Sequence, residues 1–508
     1  MEKKTIIIVA VVAVVVIAAA AFFLTKGGNG GGDDDVIDSY PDTYLTVLGN
    51  ANLDLKIDSK DVNAISKFIE NRTAESSSYK YINYYMYDAN YDGVIDQKDV
   101  DKVNAMIAAE RSGNWTAVKN VYYVNVDYDV AAYDMTVSDK IITLIAPPLD
   151  TVLAMGGQDK VVGTDNRITT GKYHAEYAKT LNFDTLIDVG SCNEPSTEAI
   201  TNASKLYGGV NVVCGTKDSY GPTMEKTFSG TDVQVIRIAS WEYGGTLYGL
   251  MTAGYLLKMF DGATAYYDSY MAVEKVVQNI VKIVPDSKKS KGLVGAAAAY
   301  GYMDELSLLG QYTGEFANLM VLDPYDSATP YLGGESGGHG NTITTEGISA
   351  MYQQYHLRNL FNMIGTPFQV TKGSTNDSQS SQANIKALYN AWIDRIGASG
   401  MPDLNMCITG YSFSSGVSEI LNQLIHCYYL YNQEFLAYFH CSSQKEAQDI
   451  LAEYVDAYCE AIGIDESWSF YGEANGGKVG TLGMNLLYCG EGDERNIMYG
   501  LESGYIEY

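Results

Sequence analysis

Residues 263–284, ATAYYDSYMAVEKVVQNIVKIV, set the strongest constraint on how this 508-residue chain folds. Tyr267, Tyr270, Met271, Val277, Ile280, Val281 and Val284 recur at helical spacing and not at the alternation of a strand. Asp261 or Thr264 can cap the start, and Pro285 stops the helix. At 1.5 Å per residue the segment reaches roughly 33 Å, the width of a small domain. Strand-like and helix-like segments alternate both before and after it. A single long helix between two α/β halves is an uncommon plan, so the chain is read as two halves about this helix.

From Asn120 short strands alternate with short helices, which implies a parallel sheet covered on both faces. Val121–Val126 alternates as a strand, and Asp139–Ile145 is an apolar run of strand length. Ala146-Pro147-Pro148 and a helix over residues 149–157 follow it. Lys160–Thr164, Val210–Cys214 and Val233–Ile238 read as further strands, with the turn NEPSTEAI (193–200) leading into a helix. A shorter helix over Leu247–Phe260 precedes the long one. After Pro285, Lys291–Ala297 and Leu404–Thr409 read as strands, and Val417–Leu430 and Glu446–Ile462 as helices. Tyr331–Asn341 and Thr371–Gln382 are loops of a length tied to function or mobility. The Gly- and Tyr-rich stretch Asp465–Tyr508 supports no assignment.

The succession of Ile142–Ile145, the Ala146–Pro148 turn, the Leu149–Gly157 helix, the V-V-G of Val161–Gly163 and the Asn193–Ile200 turn carries a resemblance. It resembles the N-terminal lobe of the ABC-transporter solute-binding (periplasmic binding) proteins for iron–siderophore, haem and cobalamin. The resemblance runs from Asn120 to about Ile464, and the long helix falls where that family joins its lobes. It implies a non-enzymatic, extracellular substrate-binding component of an ABC uptake system, taking a metal chelate between two lobes and docking on a permease. Pockets for such ligands sit at strand ends and are apolar with few polar anchors. The positions that match are Arg167, Tyr173, Lys217, Tyr220 and Trp241 in the first lobe, and Tyr300 and Tyr302 in the second. Arg and Lys would pair with carboxylate or hydroxamate oxygens, and the rings would stack on flat faces. The family's permease-docking glutamates fall on Glu198 and Glu315.

Asn50–Ile107 holds an internal repeat, NANLDLKIDSKDVNAISKFI from Asn50 and DANYDGVIDQKDVDKVNAMI from Asp88. Oxygen-bearing side chains stand at loop positions one, three, five, nine and twelve: Asn50, Asn52, Asp54, Asp58 and Asp61, then Asp88, Asn90, Asp92, Asp96 and Asp99. The main-chain carbonyls of Lys56 and Val94 fill position seven. This spacing wraps hard oxygen ligands around Ca²⁺, with Gly93 taking the sharp turn at position six. The loops end in Asp and only the following helix is present, a pattern that resembles the dockerin family, whose duplicated calcium modules plug into cohesin partners. Leu55 stands where that family has Gly.

Thr5–Leu24 is a run of 20 uncharged residues, long enough to span a bilayer. Lys3 and Lys4 before it place the N-terminus inside and the bulk of the chain outside. Signal-peptide cores are shorter, so an uncleaved anchor is expected, tethered by KGGNGGGDDD at residues 26–35. No Cys follows it to carry a bacterial-style lipid. A net charge of −28 excludes nucleic acid as a partner, because phosphate-binding surfaces need clustered Lys and Arg. The seven cysteines form no CxxC, so zinc and iron–sulfur sites have no support and buried thiols are expected. Gly334-Glu335-Ser336-Gly337-Gly338 matches G-x-S-x-G, but no strand precedes it and His339 is too near to complete a triad.

The expected architecture is α/β, with two Rossmann-like lobes joined by one long helix. A small all-α dockerin/EF-hand-like domain and a transmembrane helix precede them. The boundaries read as 1–25 anchor or signal, 26–46 linker, 47–112 calcium module, 117–245 first lobe, 246–285 connecting helices, 286–464 second lobe and 465–508 extension. The alternative function is a cell-surface scaffold or adhesion protein acting through a dockerin–cohesin interaction.

Overall fold

The structure is a computed structural model that describes residues 45–71, 82–170, 177, 180–240, 245–295, 305–308, 341–364, 382–410, 416–462 and 486–498. The stretch Thr5–Leu24 lies outside these residues, and among them no helix is long and apolar enough to cross a membrane. Described residues before Ala265 belong to one compact unit, and those from Ala265 onward to another.

The first unit opens with helices α1 (Ser59–Asn71) and α2 (Gln97–Ser112), one after each acidic loop. Asp96 caps α2 in a capping box with Asp99, and Gly113 ends it at φ 70°. Strands β1 (Asn120–Val124) and β2 (Val130–Asp134) then form an antiparallel hairpin with Asn120 opposite Asp134. The expected strand at 121–126 is therefore shorter and stands outside the parallel sheet. Asn125 turns the chain, its side-chain oxygen accepting from Asp127 N at 2.9 Å and Asp129 N at 3.0 Å.

Strands β3 (Ile141–Thr143), β4 (Val161–Thr164), β5 (Ile187–Asp188), β6 (Val210–Cys214) and β7 (Val233–Arg237) make a parallel sheet in the order β5-β4-β3-β6-β7. Helices α3 (Ala146–Ala154), α4 (Asn166–Thr169), α5 (Thr197–Tyr207) and α6 (Met224–Thr227) intervene. The chain winds outward from β3 on one side and returns on the other, so the β3–β6 pair is a topological switch point. Helix α3 starts three residues earlier than expected because Pro147 and Pro148 fit its first turn, where no N–H is needed.

Helix α7 (Gly245–Leu256) leads to α8 (Phe260–Ile283), the long helix foreseen from spacing. Its start is Phe260, ahead of both Asp261 and Thr264, so neither caps it. Tertiary packing holds the first turn instead: the Phe260 ring lies 6.5 Å from Trp115 and 5.4 Å from Tyr255. Tyr270, Val277, Ile280 and Val284 are buried as expected, while Tyr267, Met271 and Val281 are half-buried.

The segment just before the first acidic loop is tied into the first unit. Val47 bridges Tyr123, Leu48 N donates to Tyr122 O at 2.8 Å, and Thr46 Oγ1 lies 2.9 Å from Thr252 Oγ1 on α7.

In the second unit the described elements are β8 (Gly292–Gly295), the antiparallel pair β9 (Glu305–Leu308) and β10 (Asn341–Thr344), α9 (Thr345–Tyr355), β11 (Asn359–Ile364), α10 (Gln382–Ala398), β12 (Asn405–Gly410), α11 (Glu419–Leu430), α12 (Asn432–Tyr438), α13 (Gln444–Ala461), β13 (Leu486–Tyr488) and β14 (Ile497–Met498). The sheet order is β14-β13-β12-β11-β8, with β8, β11 and β12 parallel and the last two strands antiparallel. This departs from a second copy of the first lobe: the described strands add in one direction and do not reverse. The stretch 465–508, unassigned from sequence, continues the same direction by supplying β13 and β14 to one side of β12. Trp392, Leu360, Met406 and Ile408 lie in the core of this unit.

Candidate functional site

The carboxyl ends of the first unit's strands are laced together by short polar bonds. Asp165, fully buried just past β4, accepts from Ile145 N at 2.6 Å and from Arg167 N at 3.0 Å. One carboxylate thus fixes the exit of β3, where Ile145 sits at φ 70°, and caps α4. Burial holds its pKa above the ordinary carboxylate value.

Arg167 is half-buried, with Nη2 3.5 Å from Asn193 Oδ1. Asn193 in turn donates from Nδ2 to Ser219 O at 2.8 Å and accepts from Gly221 N at 3.0 Å. The loops after β5 and β6 are joined in this way. Tyr220 lies on the second of them, and burial pushes its phenol up to about 12, so it is a neutral donor at physiological pH. Its ring passes 3.0 Å from where a Cβ on Gly215 would stand, so a larger residue there would press on the ring.

Lys217 is turned elsewhere: its ammonium pairs with Asp129 on the hairpin, and its N donates to Asp127 Oδ1 at 3.1 Å. Glu198 is exposed in the first turn of α5. Tyr173, Trp241, Tyr300, Tyr302 and Glu315 lie outside the described residues, as do His339 and the G-x-S-x-G run. The structure therefore brings together Arg167 and Tyr220, with Asn193 between their loops.

Arg237 was not foreseen. At the end of β7 and 1% exposed, it donates to Glu225 Oε2 at 3.0 Å and to the carbonyls of Gly215, Tyr220 and Gly221 at 2.8–2.9 Å. It pins the 215–221 loop from beneath. The signal available was a lone Arg in the otherwise apolar run VQVIRI.

In the two acidic loops the bonding is nearly duplicated. Asp61 accepts from Asn52 N at 3.1 Å and Asp58 N at 2.8 Å; Asp99 accepts from Asn90 N at 3.2 Å and Asp96 N at 2.8 Å. Both are fully buried, and burial raises each carboxyl to about 6. Asp54 N points to Asn50 Oδ1 and Asp92 N to Asp88 Oδ1, at 3.2 and 3.1 Å. Leu53 and Tyr91 at position four share φ 57° and 55°. The loops part at position six, where Gly93 takes φ 86° and gives its N–H to Asp88 Oδ2 at 2.9 Å, whereas Leu55 has no positive φ. Among the described residues no group of three or more His, Cys, Asp and Glu is placed to hold a metal ion. The donor set of Asn50, Asn52, Asp54, Lys56, Asp58 and Asp61, and of Asp88, Asn90, Asp92, Val94, Asp96 and Asp99, is the all-oxygen set that calcium takes.

No protein-family model matches the sequence, and no curated protein matches it. Among solved structures, the petrobactin-binding protein YclQ of Bacillus subtilis is 14% identical at TM-score 0.40, covering 62% of this chain and 98% of its own. The molybdate periplasmic binding protein MolA of Haemophilus influenzae is 12% identical at TM-score 0.42, covering 68% and 98%. A periplasmic haem-binding protein of Pseudomonas aeruginosa is 13% identical at TM-score 0.37, covering 58% and 93%. At these identities and TM-scores the likeness transfers no ligand to this chain.

Proposed function

We propose that this chain is the extracellular substrate-binding component of an ABC uptake system for a metal chelate: an iron–siderophore, haem or cobalamin. The observation that carries the reading is the set Arg167, Asn193 and Tyr220 at the carboxyl ends of a doubly wound sheet, beside its switch point. Arg167 supplies a fixed positive fork for carboxylate or hydroxamate oxygens, and Tyr220 a neutral hydroxyl and ring. Arg237 and Asp165 position these two side chains without any need to touch the ligand. Glu198 is the candidate contact to a permease, and residues 5–24 the candidate anchor in the membrane.

Calcium in the acidic loops belongs to the same proposal. The ion would neutralise buried carboxylates and tighten the segment that enters the first unit at Thr46–Gly49. A cohesin-type partner is the companion proposal for the exposed side of these loops, where Leu53, Tyr91 and Val94 are 37%, 52% and 49% exposed.

The test is intrinsic fluorescence of a chain beginning at Leu45, titrated with ferric siderophores, haem and cobalamin. Saturable quenching by one of them, weakened about tenfold or more in Arg167→Ala, supports the reading. Silence across the panel sinks it and leaves the scaffold as the function to pursue.

A further inference from the structure

The second unit carries a cleft at the end of its sheet opposite to the strand ends where α/β proteins bind ligands. Lys288 precedes β8, and β13 runs antiparallel to β12 with Tyr488 opposite Ile408, so the 489–496 turn lies toward the amino end of β12. The junction of α11 and α12 supplies the third side. Together they border a shallow, solvent-open cleft of about 690 Å³, within the size range of small-molecule sites.

Its charges are largely matched from within. Arg495 donates from Nε to Asp493 Oδ1 at 2.9 Å, from Nη2 to Oδ2 at 2.6 Å and from Nη1 to Tyr429 O at 3.3 Å. Lys288 stands 3.5 Å from Glu434. Asn432 Nδ2 donates to Gln444 Oε1 at 3.0 Å, and Tyr428 OH donates to the same oxygen at 2.9 Å, which makes a stiff floor. Arg495 and Lys288 line the cleft together with the exposed Gln433 and Glu494. The apolar lining is small, Leu430 with Tyr429 and Tyr431.

A haem or an acyl chain needs more apolar surface than one leucine and two tyrosines supply. A phosphate meets cations already neutralised and the added charge of Glu494. Interleaved donors and acceptors suit hydroxyl groups, each of which gives and takes a hydrogen bond. We infer that this cleft binds a neutral, hydroxyl-rich small molecule of the saccharide class, at a site separate from the strand ends of the first unit.

The experiment is calorimetric titration of the full chain with glucose, galactose, N-acetylglucosamine, maltose and cellobiose, and with inorganic phosphate as the ionic probe. At least one sugar is expected to bind saturably. Its affinity should fall about tenfold or more in Gln433→Ala/Glu494→Ala, a change to two exposed side chains, and stay unchanged in Arg167→Ala. The inference is overturned if no sugar binds, if phosphate competes with the sugar, or if the double variant binds like the parent. Chelate binding by that variant is scored separately, so failure of the cleft leaves the strand-end reading untouched.

Discussion

Arg237→Ala would remove one guanidinium from a carboxylate and three carbonyl oxygens at once. Glu225 is 40% exposed and stays hydrated without it, so the loss is mainly that of the unsatisfied carbonyl acceptors, about 1–3 kcal/mol. The loop carrying Tyr220 would slacken with it, so urea unfolding should show a lower midpoint and chelate binding should weaken together. An unchanged midpoint would mean that the loop is held by other contacts. His426, fully buried with Nε2 3.3 Å from Thr409 Oγ1, has its pKa lowered by burial to about 3. The unfolded chain takes that proton first, near the ordinary value of about 6.5. Its contribution to stability is therefore complete above that pH and is lost as pH falls toward 3. Asp150, raised by burial to about 7, acts in the opposite sense, losing its contribution as pH rises through neutrality. Comparing His426→Gln with the parent isolates the first effect: the variant's urea midpoint should change less between pH 7 and pH 4. Arg167 and Tyr220 were legible because each follows a bounded apolar run. Asp165 and Arg237 were not, since a charge at a strand end reads equally well as solvated until its partners are seen.

Close approach decides much at the scale of elements. A Cβ on Gly249 of α7 would run into the Ala239 carbonyl, and one on Gly262 of α8 into the Met155 carbonyl. Gly262→Ala should therefore cost about 1–3 kcal/mol, although Ala is the better helix former. A thermal midpoint equal to or above that of the parent would show that the first turn of α8 can shift without loss. In the acidic loops, Leu55→Gly should strengthen calcium binding at the first site toward that of the second, read by calorimetry, because Gly alone takes the position-six turn without strain. Strands β3, β4, β6 and β7 of the first sheet were visible in sequence as short apolar runs between turn residues, whereas β5 was not. The hairpin partner β2 and the strands β13 and β14 were not, because two to five residues with no alternating face carry no period. The long helix was found from its spacing but its start was misplaced, since aromatic packing and not a capping side chain sets it.

For the molecule as a whole, the segment Thr46–Leu48, which leads into the first acidic loop, shares backbone bonds with the β1–β2 hairpin and a side-chain bond with α7. Saturating calcium, at a hundredfold over its dissociation constant, should add about 2.7 kcal/mol to the first unit. Calorimetry should show that unit's transition moving as one, and a separate small transition that alone responds to calcium would refute the coupling. The order of the strands also has a consequence for biosynthesis. Every described strand of the first sheet has been synthesised once residue 237 is made, so that half can fold while translation of the rest continues. The second sheet has no such freedom. Among the described residues one edge of β12 pairs with Leu487 and Tyr488 alone, so throughout the synthesis of α11, α12 and α13 the nascent chain lacks that partner and leaves amides and carbonyls along the edge unpaired. A message truncated before Leu486 would yield a product that sticks to its neighbours, and slow decoding over that interval would lengthen the dependence on chaperones.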